Sequence, residues 1–135
     1  MKYLLDTSVW SLAFRRSVPV NNKVFALLSE LIDSKRVVLC GPVRQELLSG
    51  IKQHEKFKLL RLQLRAFEDI TPSTEDYELA AEYFNTCRAQ GIQGSNTDFL
   101  LCAISANHNF TLLSSDRDFL HFGKYIKFKF EFFEV

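Results

Sequence analysis

The sequence of 135 residues has few glycines, no long hydrophobic run and no excess of charge of one sign. With five glycines it contains no glycine-rich phosphate loop, which argues against nucleotide binding by that route. The apolar stretch before Asp6 is too short for a signal peptide, and no window approaches the length of a membrane span. We therefore expect a soluble, cytoplasmic protein.

Cysteine is also scarce, and its spacing is irregular. Cys40, Cys87 and Cys102 are odd in number, far apart and surrounded by apolar neighbours. A disulfide framework or a zinc site requires paired or closely spaced ligands, and the three histidines do not supply them either. We expect three reduced thiols in the core.

The charges nearly cancel, since 17 basic and 16 acidic residues leave a formal charge of +1. The chain lacks the large net positive charge that is typical of nucleic-acid-binding proteins, so any such binding has to depend on a local basic surface. Hydrophobic residues make up 47% of the chain and there is no long polar tract. This composition is globular, and we expect one domain over residues 1–135.

Short apolar segments alternate with helical patterns along the chain. The C-terminal segment alternates apolar and charged residues, which predicts a strand near a sheet edge with one face exposed. Strands are predicted at 3–6, 36–40, 110–115 and 125–135, and helices at 7–14, 21–35, 42–50, 55–67, 74–89 and 97–109. This alternation predicts an α/β fold with a mostly parallel central β-sheet flanked by helices on both faces.

Four acidic residues fall where strands end or helices begin. Asp6 ends the first strand and Asp116 follows the third. Glu46 lies in the first turns of the helix after the second strand, and Asp98 lies in the first turn of its own helix. Ligands of open α/β sheets gather outside the carboxyl ends of the strands, so we expect all four carboxylates at one rim.

Such a cluster needs a counterion. Two carboxylates about 5 Å apart repel by roughly 3 kcal/mol at an effective dielectric constant near 20. A divalent cation removes this repulsion, and oxygen ligands suit Mg²⁺ or Mn²⁺, which activates water for attack on a phosphodiester. The expected metal ligands are Asp6, Asp98 and Asp116. Hydroxyl groups that could orient them are those of Thr7, Ser8, Ser114 and Ser115.

Each acid has a structural explanation as well. Asp6 is a good cap for the helix that follows it, and Glu46 is favoured by the dipole near a helix N-terminus. Asp98 completes a capping-box pattern in "SNTD", while Asp116 and Asp118 are common turn residues. Only the convergence of the acids favours a metal site over these separate roles.

A basic segment lies in and just before the second helical pattern after the second strand. By default it is a solvated helix face, and its functional interpretation is a local track for RNA phosphates; the sequence favours neither. Its members are Lys52, Lys56, Lys58, Arg61 and Arg65.

Three stretches together resemble the PIN-domain ribonucleases, specifically VapC-type toxins of bacterial toxin–antitoxin pairs. They are "YLLDTSVWS", "GPVRQELLSGI" and "NTDFLLCAISANHNFTLLSSDRDF". The resemblance covers nearly the whole chain. Its most specific part is the last stretch, in which an Asp-led helix, a Leu-rich strand and "DRDF" occur together.

The resemblance implies a metal-dependent endoribonuclease that cuts structured RNA such as tRNA or rRNA, forms a homodimer and is inhibited by a cognate antitoxin. Carried over by motif, the core acids are Asp6, Glu46, Asp98 and Asp116, with Asp118 in the outer shell. Two alternatives stay open: a housekeeping PIN nuclease in RNA processing, and a noncatalytic module whose acidic pocket recognises a basic partner.

Overall fold

A computed structural model describes residues 1–14 and 23–134 of the chain, which form five strands and seven helices. The strands are β1 (Tyr3–Leu5), β2 (Val37–Cys40), β3 (Glu68–Ile70), β4 (Thr111–Ser114) and β5 (Phe130–Phe132). The helices are α1 (Thr7–Ala13), α2 (Lys23–Asp33), α3 (Gly41–Leu48), α4 (His54–Leu64), α5 (Thr74–Ala89), α6 (Asn96–His108) and α7 (Asp118–Phe122).

All five strands lie in one parallel sheet, in the order β3-β2-β1-β4-β5. The chain therefore starts in the middle of the sheet, builds β2 and β3 on one side of β1, and then adds β4 and β5 on the other. The predicted α/β class is confirmed. This change of side creates a crevice at the carboxyl ends of β1 and β4, which is where ligands of such sheets bind.

The core lies on both faces of the sheet. Every residue of β2 and β4 is buried, and because successive side chains point to opposite faces, both faces must be covered. In α6 the seven residues 99–105 are all buried. A helix without a solvent stripe over this length is enclosed by its neighbours, here α5 and β4.

The ends of the α5–α6 pair are joined by a buried carboxylate. Asp76, with no exposed surface, accepts hydrogen bonds from the backbone N–H of Ser73 and the side-chain amide of Asn107, both at 2.9 Å. Its second oxygen also lies 2.9 Å from Nε2 of His108. These contacts fix the first turn of α5 against the last turn of α6.

Most predicted elements are present with small shifts of their ends. Residues 74–89 form the predicted helix, and the C-terminal strand β5 lies at the sheet edge, although only three of its predicted residues are paired. The predicted start of the second helix at Asn21 lies outside the described residues. β3 and α7 are not predicted by the sequence patterns. β3 is hidden by its composition, since two of its three residues are exposed acids.

The three cysteines are free and buried, as predicted. Burial raises the pKa of each thiol, to about 11 for Cys40, so the unreactive protonated form persists at neutral pH. Among the helices that the structure describes, none combines the length and apolar character needed to cross a membrane.

Candidate active site

Asp6 occupies the crevice between β1 and β4. It is 5% exposed and serves as the N-cap of α1, where its Oδ1 accepts from the backbone N–H of Val9 at 3.2 Å. Its own N–H donates to the carbonyl of Leu113 at 3.3 Å, which continues the β1–β4 pairing by one residue. Asp6 therefore caps α1 and also lies at the carboxyl end of the sheet, so the two roles are compatible.

Hydroxyl groups surround this carboxylate. Ser8 Oγ donates to Oδ1 and Ser114 Oγ donates to Oδ2 of Asp6, each at 2.6 Å. Ser115 Oγ donates to Ser8 Oγ at 3.0 Å, so it acts on Asp6 through Ser8. Both oxygens of a buried acid are thus fixed by donors from two distant segments, as expected for a carboxylate that must keep one orientation.

Asp116 follows β4 and is half-buried. Its N–H donates to Ser114 Oγ, and its Oδ1 accepts from the N–H of Asp118, both at 2.9 Å. Asp118 opens α7 with an exposed side chain. The local turn therefore directs Asp116 toward the crevice and Asp118 toward solvent.

Asp98 reaches the same crevice from the first turn of α6. Ser95 and Asp98 form a capping box, with Ser95 N–H donating to Asp98 Oδ2 at 3.2 Å and Asp98 N–H donating to Ser95 Oγ at 3.1 Å. This contact uses one carboxylate oxygen. Oδ1 makes no hydrogen bond to another described residue, so it is available to a ligand.

The pKa values of Asp6 and Asp98 are both raised, in part by the charges of neighbouring acids. Burial raises the pKa of Asp6, against the lowering effect of its bonds to Ser114, Ser8 and the Val9 N–H, and the charge of Asp116 raises it further. Burial also raises the pKa of Asp98, opposed by Ser95, and the charges of Asp116 and Asp6 add to the increase. Asp6, Asp98 and Asp116 therefore share one negative environment.

Glu46 stands apart from this trio. Its side chain is exposed on α3, and its Oε2 accepts from Thr7 Oγ1 at 2.5 Å. Because Thr7 directly follows Asp6, this bond holds the Glu46 carboxylate beside the crevice. Thr7 thus serves as an orienting hydroxyl at the rim of the site.

The donor chemistry suits a hard divalent cation, since carboxylates that share one negatively charged crevice are stabilised by positive charge. As the side chains stand, however, no group of three or more His, Cys, Asp or Glu residues within residues 1–14 and 23–134 is arranged to hold a metal ion. The acids form a negatively charged crevice rather than a closed chelate.

The basic segment occupies α4 and its flanks, and all its predicted members are exposed. Lys58, Arg61 and Arg65 are spaced at i, i+3 and i+7 and share one side of the helix, whereas Lys56 lies on another. Lys52 precedes the helix. Only three of the five basic residues therefore lie along one side of the helix, where they could contact RNA phosphates together.

A cavity beside the acids was not predicted. It encloses about 450 Å³ between the start of α3, the middle of α5 and the start of α6. Its lining residues extend from Pro42 to Leu100 and belong to three helices, so no local pattern reveals it. The only hint in the sequence is the polar pair "NT" directly before Asp98: both of these residues, Asn96 and Thr97, line the cavity.

Comparison with known proteins assigns the family. Residues 3–125 match the PIN domain. The VapC ribonuclease Mb1587 of Mycobacterium bovis is 28% identical over 119 residues, which cover 86% of this chain and 87% of that protein.

Solved structures share the fold. VapBC2 from Rickettsia felis, solved with a DNA fragment from its promoter, superposes with a TM-score of 0.80 at 20% identity, over 99% of this chain and 100% of that one. A toxin–antitoxin complex from Klebsiella pneumoniae gives a TM-score of 0.60 at 16% identity, over 86% and 88%. With the parallel sheet, the acidic crevice and a match over nearly its whole length, this chain belongs to the PIN-domain family.

Proposed function

We propose that this protein is the ribonuclease toxin of a toxin–antitoxin pair, an endoribonuclease that depends on Mg²⁺ or Mn²⁺. Its membership of the PIN-domain family supports this proposal, as do the ribonuclease named among its relatives and the toxin–antitoxin complex among its structural neighbours. The partner we expect is a cognate antitoxin. We further propose that residues 1–135 act as one nuclease domain, as a homodimer, on cytoplasmic tRNA or rRNA.

The observation that carries the proposal is the convergence of Asp6, Asp98 and Asp116 from three separate segments: the charge of Asp116 raises the pKa of Asp6 and Asp98, and the charge of Asp6 also raises that of Asp98. These are the residues that would hold the metal. When bound, a divalent cation would supply an activated water and neutralise charge that develops on the phosphate. Structural roles alone would not require three uncompensated carboxylates at the mouth of a sheet crevice.

The chain's own residues have distinct tasks. Ser8 and Ser114 hold both oxygens of Asp6 and favour its ionised form. Thr7 holds Glu46 at the rim, where an exposed carboxylate can orient water or accept a proton from it. The exposed cations Lys58, Arg61 and Arg65 would bind RNA phosphates next to the helix that carries Glu46.

The test is cleavage of total RNA by the purified protein with Mg²⁺ or Mn²⁺, and with a chelator. Asp98→Asn keeps an oxygen that can accept from Ser95 N–H, so the capping box survives while the charge is lost. We expect cleavage to fall at least a hundredfold, on the order of the loss seen when a charge-stabilising group is removed from an active site.

The matched control is Asp118→Asn, an exposed acid two residues from Asp116 that should retain cleavage within about threefold. RNA patterns that are identical for wild type, Asp98→Asn and the chelated sample contradict catalysis at this site and favour a noncatalytic module. Cleavage by a protein whose gene has no small upstream reading frame for a DNA-binding antitoxin favours a housekeeping nuclease.

A further inference from the structure

The cavity beside the acids has features of a binding site for a planar, uncharged ligand. Its volume of about 450 Å³ falls within the range of small-molecule pockets. Its walls are mostly apolar, and the described residues that line it include no Lys or Arg. A phosphate group would find no counterion there. The six residues used below are Pro42, Tyr77, Ala81, Asn85, Asn96 and Thr97.

On two helices, residues that line the cavity lie within one turn of an acid of the crevice. Thr97 lines it, and the next residue in α6 is Asp98. Pro42 also lines it, and Glu46 lies four residues later in α3, on the same side of that helix. A nucleotide next to a phosphate held by the acids would therefore meet the mouth of this cavity.

The lining supplies the two contacts by which proteins bind unpaired bases. Tyr77, although aromatic, is 54% exposed at the cavity, so its ring is available for stacking. Asn85 on α5 and Asn96 on α6 have exposed side-chain amides that bond no other described residue. An amide presents a donor and an acceptor together, which matches the edge of a nucleobase.

We propose that this cavity is a nucleobase pocket that receives one unstacked base of the RNA beside the cleaved bond. Tyr77 stacks on the base, while Asn85 and Asn96 form hydrogen bonds with its edge and set the sequence preference. This inference rests on the proposed ribonuclease function and deepens it, because it identifies the substrate as RNA with an unpaired base at the cut.

The first test is cleavage of a randomised single-stranded RNA library, with sequencing of both ends of each cut. For wild type we expect at least about tenfold preference for one base at one position flanking the cut, the scale of a stacked and hydrogen-bonded base. Ala81→Phe fills the cavity and Asn85→Ala removes an amide, and each should reduce this preference to below about threefold. Ala89→Phe, at the far end of α5, is the matched control and should keep it.

A second test does not depend on cleavage. The same library, with 4-thiouridine in place of uridine, is bound in the presence of a chelator and crosslinked by light. We expect crosslinks in the α5 peptide that contains Tyr77 and Asn85, reduced about tenfold by Ala81→Phe. If the protein crosslinks there but cuts no RNA, the proposed catalysis fails and the base pocket stands.

Three results would overturn the pocket: cleavage by wild type without base preference, a preference that Ala81→Phe leaves intact, and crosslinks confined to α4. Light scattering of each variant tests another occupant. If Ala81→Phe converts a dimer into a monomer, the cavity is covered by a second copy of the chain and the inference is wrong.

Discussion

Asp6 combines a structural and a chemical role in one side chain. Its Oδ1 caps α1 and accepts from Ser8, and its Oδ2 accepts from Ser114, yet burial still keeps its pKa above the usual value. The hydroxyl donors therefore offset the cost of burying the charge only in part. A cation in the crevice would complete the compensation, which links Asp6 ionisation to metal binding.

Removal of the Ser114 hydroxyl should raise the pKa of Asp6 further, because that hydroxyl donates to the ionised form. We expect Ser114→Ala to move the Asp6 carboxyl titration, followed by ¹³C NMR in the presence of a chelator, to higher pH than in wild type. Ser115→Ala is the control, since its hydroxyl contacts Ser8 rather than Asp6 and should cause a smaller shift. An unchanged Asp6 titration in Ser114→Ala contradicts this account.

Gly94 is required by close packing rather than by its backbone angles. A Cβ at this position would lie 2.5 Å from one ring carbon of Phe122 and 3.0 Å from a ring carbon of Phe99. Both rings are buried, so they have little room to move. We predict that Gly94→Ala lowers the free energy of unfolding by about 1–3 kcal/mol, measured by urea denaturation.

The control for this overpacking is Gly123→Ala. Its Cβ would meet no atom closer than 3.5 Å, which is an ordinary contact. Gly123 has helical backbone angles that alanine also adopts, so its stability should change by less than about 0.5 kcal/mol. Equal stability of the two variants would show that the Phe99 and Phe122 rings yield more easily than this packing implies.

At the scale of elements, the α5–α6 pair depends on Asp76. Burial acts to raise the pKa of this carboxyl, but the bonds from Asn107, the Ser73 N–H and His108 outweigh it and hold the pKa below the usual value. A group whose pKa is lowered in the folded state stabilises the fold above its unfolded pKa. That stability is lost as the pH falls through the folded pKa.

We predict that Asp76→Asn costs about 2–3 kcal/mol of unfolding free energy at pH 7, since it weakens a buried charged network. The difference from wild type should shrink as the pH falls below about 4, where Asp76 of the unfolded chain takes up a proton, and should be lost once the pH passes the lowered pKa of the folded state. Urea denaturation at a series of pH values measures this. Glu75→Gln, an exposed neighbour in the same turn, should show no such loss, and a pH-independent difference for Asp76→Asn contradicts the role of its charge.

The sequence predicted elements best where local chemistry marks their ends. The helix at residues 74–89 is predicted partly from Gly91, a residue type that ends helices, and Gly91 does take a positive φ of 76° after this helix. The prediction that Asp6, Asp98 and Asp116 lie close together rested only on the rule that ligands of parallel sheets bind at the carboxyl ends of the strands. In these cases a short-range signal or a general topological rule was sufficient.

Features that depend on partners across the fold were not accessible. β3 pairs with β2 although its sequence "EDI" has no strand-like pattern. The different exposure of Asp116 and Asp118 depends on a turn in which Asp116 Oδ1 accepts from the N–H of Asp118. The cavity was not predicted because its walls come from three helices, α3, α5 and α6. The helix α7 was not predicted because it is too short to show a hydrophobic period.

For the whole molecule, the net charge is nearly zero, but basic and acidic residues are concentrated in different stretches of the chain. Residues 52–65 contain five basic residues and one acidic residue, whereas residues 68–82 contain six acidic residues and no basic one. The basic stretch includes α4, and the acidic stretch includes β3 and the first half of α5. A local positive surface is therefore available to RNA despite a net charge of +1.

Replacement of Lys58, Arg61 and Arg65 by Gln should weaken RNA binding at every sequence by about tenfold or more at low salt. The plot of log affinity against log salt should become shallower by about 2, as expected for three lost contacts with single-stranded RNA. Fluorescence anisotropy with chelator present measures both quantities. A triple change of the exposed Lys124, Lys127 and Lys129 is the control, and an equal effect of the two sets would mean that binding is not localised on α4.

The central position of β1 also determines when activity can first arise during translation. Asp6 leaves the ribosome early, whereas Ser114, which donates to it, is 108 positions later in the chain. Pairing across so large a separation is slow and cannot begin before β4 has been made. A growing polypeptide therefore lacks the complete crevice until its last quarter is synthesised, so whatever chemistry the crevice performs starts only after β4 has been made.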